Sequence, residues 1–338
     1  MITPNRMPWH PNEWQKLLSQ SFRQPDSLLA FLDLSPDLLE IDVQPDFAML
    51  VPPPFARRMQ PGSPADPLLL QVLPLALERA QISGYSADPL DESSDGRAFK
   101  LAPTLLQKYQ ARVLMITTPG CAVNCRYCFR RDFPYDAHKP RDYQQALDVI
   151  AAETGITEVI LSGGDPLILS DQKLGNLLHH LNAIDHVRRI RLHSRLPIVL
   201  PQRINGALLN IFRSSRCPVT LVVHCNHAQE LDEDTARAFQ YLREASVHLL
   251  NQSVLLHKVN DDANQLCRLS EALFEQGVLP YYLHMPDRVA GTAHFDVPDL
   301  LALKLHEQMR VQLPGYLVPR LVREEPGEPS KTPMTIQS

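Results

Sequence analysis

The feature that most constrains this chain is a rhythm that starts near residue 110. Short runs rich in Val, Ile and Leu alternate with longer amphipathic stretches and continue almost to residue 312. The apolar runs at 112–118, 158–163, 188–194, 219–225, 249–256 and 279–285 read as strands. The stretches near 141–153, 171–182, 203–214, 231–245, 262–276 and 298–312 carry apolar residues at helical spacing. Strands each followed by a helix pair in parallel through right-handed crossovers. No glycine-rich dinucleotide loop follows the first strand, so the expectation is an α/β fold built on a partial (β/α)6 barrel, not a doubly wound sheet. In such barrels the chemistry gathers at the C-terminal ends of the strands.

Ahead of this rhythm the chain is rich in proline and turn signals, with a stiff break at Pro52, Pro53 and Pro54. Helices are expected over 12–22 and 67–81, and 88–96 reads as a polar loop. The division is therefore a mainly helical N-terminal extension over 1–104, the barrel over 105–315, and a C-terminal segment over 316–338. Across 338 residues, 44% are hydrophobic, enough for a sizeable core. A net charge of −5 argues against nucleic acid as a bulk electrostatic partner. The basic run from Arg126 to Arg131 must then belong to a site or to a solvated turn. No segment approaches the ~18 consecutive apolar residues of a membrane helix, and no secretory signal opens the chain. A cytoplasmic protein without a membrane partner is expected.

Three of the six cysteines, Cys121, Cys125 and Cys128, fall within eight residues just after the first strand. Thiolates at these spacings can converge on one face of an iron–sulfur cluster. Three ligands on a four-iron cluster leave one iron open. Zinc is the alternative, and His138 would be its candidate fourth ligand. Cys217, Cys225 and Cys267 read as small buried apolar residues. After the second strand, Ser162-Gly163-Gly164-Asp165-Pro166 can let backbone approach a ligand closely, and Asp165 could accept from an ammonium.

The Cys-x-x-x-Cys-x-x-Cys pattern with an aromatic before its last cysteine resembles the radical S-adenosylmethionine superfamily. Gly163, Gly164 and Asp165 resemble that superfamily's segment for the methionyl amino group. Further blocks extend the likeness: Cys128-Phe-Arg130-Arg131, Ser194 to Arg203, His224-Cys-Asn-His227, Asn251 to Leu256, Pro280-Tyr-Tyr282 and Lys331-Thr-Pro333. In order, from about residue 105 to 334, they resemble lysine 2,3-aminomutases. That resemblance implies an isomerase that converts L-lysine to β-lysine with a [4Fe–4S] cluster, S-adenosyl-L-methionine and pyridoxal 5′-phosphate, and an external one-electron reductant. It implies that Cys121, Cys125 and Cys128 hold the cluster and that Lys331 carries the pyridoxal phosphate. Arg112 and Lys108 would meet its phosphate, and His224 and Gln252 would line the adenosylmethionine site. Arg130 would clamp the substrate carboxylate, with Asp287 and Glu324 facing its distal ammonium. Arginine would suit the same two carboxylates. A radical enzyme without pyridoxal phosphate, or a cluster-binding electron-transfer or zinc protein, are the other readings.

Three departures stand out. Glu324 replaces a shorter carboxylate. Glu328-Pro329-Ser330 replaces a glycine run before the lysine. The chain stops seven residues after Lys331, where longer relatives continue into a segment with further cysteine ligands. This short form resembles the aminomutases that make β-lysine for modifying translation elongation factor P.

Overall fold

A computed structural model describes residues 9–10, 12–92, 99–102, 104–134 and 143–335. His138 lies outside them. Ten strands form one sheet in sequence order. In chain order the elements are α1 (Glu13–Ser19), α2 (Pro25–Phe31), α3 (Pro53–Ala56), β1 (Phe99–Ala102), β2 (Leu105–Tyr109), β3 (Arg112–Thr118), α4 (Gln144–Ala152), β4 (Glu158–Gly163), α5 (Asp171–Asn182), β5 (Arg189–Ser194), α6 (Leu196–Val199), α7 (Gly206–Arg213), β6 (Val219–Val223), α8 (Glu233–Glu244), β7 (His248–Val254), α9 (Ala263–Glu275), β8 (Leu279–His284), α10 (Asp299–Gln312), β9 (Arg320–Arg323) and β10 (Thr332–Pro333).

Strands β3 to β9 are all parallel, which adds a seventh to the six expected. β1 and β2 extend one edge antiparallel, and β10 turns back on β9 at the other. β1 thus joins the sheet from within the stretch read as N-terminal extension.

The six strands expected from sequence are those whose apolar runs are longest. One rung crosses four of them, Leu161 to Leu192 to Leu221 to Leu249. These leucines are buried against the helices, as are Leu174, Leu177, Leu178 and Leu181 of α5. Side chains alternate across a strand, so Arg191 and His193 project from β5 on the side away from Ile190 and Leu192. On β8, Leu283 joins α9 and α10 in a second apolar cluster, which turns Tyr282 and His284 to the concave side. That side is polar on β5 and β8, whereas on β2 and β3 it carries Leu106, Leu114 and Ile116, which pack together. Ser170, Asn205, Asp232 and Asp262 each accept a backbone N–H in the first turn of α5, α7, α8 and α9. Such caps contribute about 1 kcal/mol apiece.

The N-terminal residues share the barrel's main core. Trp14, Leu28, Phe55 and Leu68 belong to one buried cluster with Leu161, Leu192 and Leu221. The helix expected over 67–81 does not form. Residues 67–72 make turns, and a short 3-10 helix follows at Ala76–Arg79. Pro74 lacks an N–H and biases Leu73 away from helical geometry. Cys217, Cys225 and Cys267 are buried, as expected. Among the described residues no helix is long and apolar enough to cross a membrane.

Candidate active site

The cysteine loop follows β3 and is tied down by the N-terminal segment. Asn124 N–H donates to Leu50 O at 3.0 Å, and Arg126 N–H to Gln71 O at 2.8 Å. The Arg126 guanidinium is buried, with Nε 2.8 Å from Glu78 and Nη1 2.6 Å from Phe47 O. Arg131 reaches the same Glu78 at 2.8 Å. The basic run is thus a clamp on this loop rather than a solvated turn. Cys121, Cys125 and Cys128 are half-buried free thiols. Burial, aided by neighbouring thiols, raises Cys121 well above the ordinary range and Cys128 to about 12. Cys121 and Cys128 so raised are protonated thiols at neutral pH, and a bound cation is what makes such groups thiolate ligands. Arg195 Nη1 donates to Cys125 Sγ at 2.8 Å, a contact absent from the sequence reading. Among the described residues no three His, Cys, Asp or Glu side chains gather as a single-ion site.

Gly163 and Gly164 act through close backbone approach. Gly163 has a φ of 112°, and a Cβ on Gly164 would lie 2.2 Å from Gly120 O. Gly164 and Asp165 N–H groups donate to Thr118 O at 2.7 Å and Gly120 O at 2.8 Å. The segment therefore pins the cysteine loop. The Asp165 carboxylate accepts from Ser194 Oγ at 2.7 Å and from the N–H groups of Leu167, Arg195 and Leu196 at 3.0, 2.8 and 3.2 Å. These contacts tie it to the loops after β4 and β5. Burial still lifts it to about 6.

His224, just beyond β6, meets Gln252 of β7 at 3.0 Å between Nε2 and Nε2, and its ring lies 5.9 Å from that of His193. Burial lowers His224 to about 3 and drives His193 and His284 well down, so the three imidazoles are neutral at pH 7. Buried Nε2 atoms of His193 and His284, and Nε of Arg112, have no hydrogen-bond partner among the described residues.

A chain of alternating charge runs along the same concave face. Lys331 precedes β10, which pairs back on β9 with Thr332 opposite Arg323. The turn between them, with Gly327 at a φ of 84°, sets Lys331 Nζ in a short contact with Glu324. Nζ also lies 5.7 Å from the Tyr282 ring centre. Tyr109 Oη donates to Glu324 at 2.6 Å, and Lys108 lies 3.8 Å from it. Burial pushes Glu324 up, but Lys331 and Lys108 outweigh it and hold the carboxyl below its ordinary range. Lys108 pairs with Glu92 at 2.9 Å, and Glu92 with Arg130 at 2.7 Å. Asp287 faces this group. Desolvation, then the charge of Glu324, raises it to about 7 against the pull of Lys331 and Lys108. Arg112 stacks its guanidinium 4.3 Å from the Tyr109 ring centre.

The structure thus gathers Lys331, Glu324, Asp287, Lys108 and Arg130. Lys108, expected at a phosphate, is held by two carboxylates. Glu92 and Tyr109 were not singled out by sequence: Glu92 lies in a polar loop with no motif, and Tyr109 at the end of a five-residue strand.

Residues 115–204 match the model of the radical SAM superfamily. Over 340 residues the chain is 46% identical to the L-lysine 2,3-aminomutase of Escherichia coli, covering 99% of this chain and 96% of that one. It is 45% identical to the L-lysine 2,3-aminomutase of Haemophilus influenzae, covering 94% of each. The chain belongs to the L-lysine 2,3-aminomutase family. It is a radical SAM isomerase, with the [4Fe–4S] cluster and S-adenosylmethionine of that superfamily. The enzyme of the same name from Clostridium subterminale is 35% identical, over 96% of this chain and 78% of the longer relative.

Proposed function

We propose that this aminomutase converts L-lysine to β-lysine, with the cluster on Cys121, Cys125 and Cys128 and pyridoxal 5′-phosphate on Lys331. The observation that carries the reading is the concave face itself. A lysine, an arginine with an orphaned Nε and two neutral histidines with orphaned Nε2 atoms surround a pair of carboxylates. An anionic ring system with its own donor and acceptor atoms fits the Arg112 N–H and two imidazole nitrogens that donate or accept according to tautomer. When bound, the cluster, fed by an external one-electron reductant, supplies the electron that cleaves S-adenosylmethionine to a radical initiator, and pyridoxal phosphate carries the migrating amino group.

The protein's own part is placement. Arg130 presents a fork suited to the substrate's α-carboxylate. Asp287, facing Lys331 and Glu324, takes the distal ammonium. Glu324 and the Tyr282 ring fix where Lys331 Nζ sits. Neutral His224 with Gln252 lines the adenosylmethionine side, and Arg112 meets the phosphate. The link to elongation factor P is part of this reading.

Anaerobic incubation with L-lysine, S-adenosylmethionine and a reductant is expected to yield β-lysine. Borohydride reduction and peptide mapping are expected to mark Lys331. Label on a different lysine, with Lys331→Ala still active, would refute the assignment.

A further inference from the structure

Glu92 is held by two cations at once. Its Oε2 lies 2.7 Å from Arg130 Nε and its Oε1 3.0 Å from Nη2, a two-pronged fork, while Oε1 is also 2.9 Å from Lys108 Nζ. The Arg130 and Glu92 side chains are 5% and 3% exposed. Arg130 Nη1 reaches Ser162 Oγ at 3.4 Å. The two cations outweigh burial and pull Glu92 down to about 2, so it is ionised at any working pH.

A fork of this kind is what an amino acid's α-carboxylate would make with the same guanidinium. The two cannot both hold it without bringing two anions together in a poorly solvated place. The Glu92 fork supplies a counter-charge to the buried Arg130 guanidinium, and taking a counter-charge from a buried cation is destabilising. We propose that Glu92 is a resident stand-in for the substrate's carboxylate: it holds Arg130 while the site is empty and yields that fork when an amino acid binds. Lys108 makes the exchange feasible, because Glu92 keeps this second partner when it releases the first. A cavity lined in part by Asp88, Glu92, Phe129, Arg130, Asp132 and Phe133 lies beside the fork. Only a ligand bearing a carboxylate can make the replacement, so the device selects amino acids over amines of the same length. The inference rests on Arg130 being the carboxylate clamp.

Calorimetric titration of the anaerobic holoenzyme without reductant tests it, with L-lysine and 1,5-diaminopentane as probes. In Glu92→Gln the resident anion is gone, and lysine is expected to bind about tenfold more tightly while the diamine gains nothing. Lysine affinity that is unchanged or weaker in Glu92→Gln overturns the exchange. Glu92→Asp, too short to keep both cations, is expected to tighten lysine binding less; should the Gln variant not fold, equal or weaker binding in the Asp variant overturns it instead. Arg130→Met separates the two levels. If it binds lysine as the unaltered protein does, the clamp assignment falls and the exchange with it. If it loses tenfold or more while Glu92→Gln is unchanged, the clamp stands and the exchange alone is wrong.

Discussion

Asp287 and Glu324 face the same two lysines, and their protonation differs because only one of them touches a cation. Glu324 is locked by Lys331 and Tyr109 and stays ionised. Asp287 has no such partner and rises to about 7. A substrate ammonium pairs best with the ionised form, so lysine binding is expected to release a proton near neutral pH. Below pH 7 its affinity is expected to weaken by about tenfold per pH unit. Titrations in buffers of different ionisation enthalpy check the proton release, and Asp287→Asn is expected to abolish both it and the pH slope. The sign for stability is opposite to that of a salt-bridged acid. A carboxyl raised in the folded state costs stability as pH climbs from its unfolded value toward 7. Asp287→Asn is therefore expected to melt higher than the unaltered protein at pH 8. The roles proposed for Cys121, Cys125 and Cys128 rest on spacing and family likeness, and that for Lys331 on family likeness. That Asp287 titrates differently from Glu324 could not be read from either, because the cause is which side chains fold against each.

At the scale of elements, the loops after β3 and β4 behave as one unit. Gly164 N–H reaches across to Thr118 O, and no side chain fits between Gly164 and Gly120. Gly164→Ala is expected to displace the cysteine loop and to lower the iron–sulfur absorbance after reconstitution, with the far end of the barrel undisturbed. A fully loaded cluster in this variant would show that the close approach is dispensable. The strands of the barrel were legible because each is a bounded apolar run with a helix-period stretch behind it. β9 was not, since Arg320–Arg323 has four residues and two are arginines. The β2–β3 hairpin was also missed: it turns on Ala111 at a φ of 61°, where no glycine signals a reversal. The failed helix over 67–81 had the right apolar spacing and the wrong backbone chemistry at Pro74.

Over the whole molecule, the two edges of an open sheet are brought together by side chains instead of strand pairing. Tyr109 ends β2 and Glu324 follows β9, seven strands away along the sheet, yet they share a 2.6 Å hydrogen bond. Through Glu324 that bond also steadies Lys331, so the edge closure and the lysine proposed to carry the cofactor are one structure. A hydrogen bond to a charged group contributes on the order of 1.5–3 kcal/mol. Tyr109→Phe removes only the hydroxyl and leaves the ring under Arg112. It is expected to loosen the turn from Glu324 to Lys331 and lower pyridoxal phosphate affinity by roughly tenfold to a hundredfold, read from the Schiff-base absorbance. The cysteine loop lies at the β3–β4 side of the bowl and does not depend on this contact. Its iron content and adenosylmethionine binding are therefore expected to match the unaltered protein. If the Phe variant kept full pyridoxal phosphate affinity, the closure would be a packing contact with no hold on Lys331. If it lost iron as well, the two ends of the site would be coupled through the sheet more tightly than their separate anchors imply.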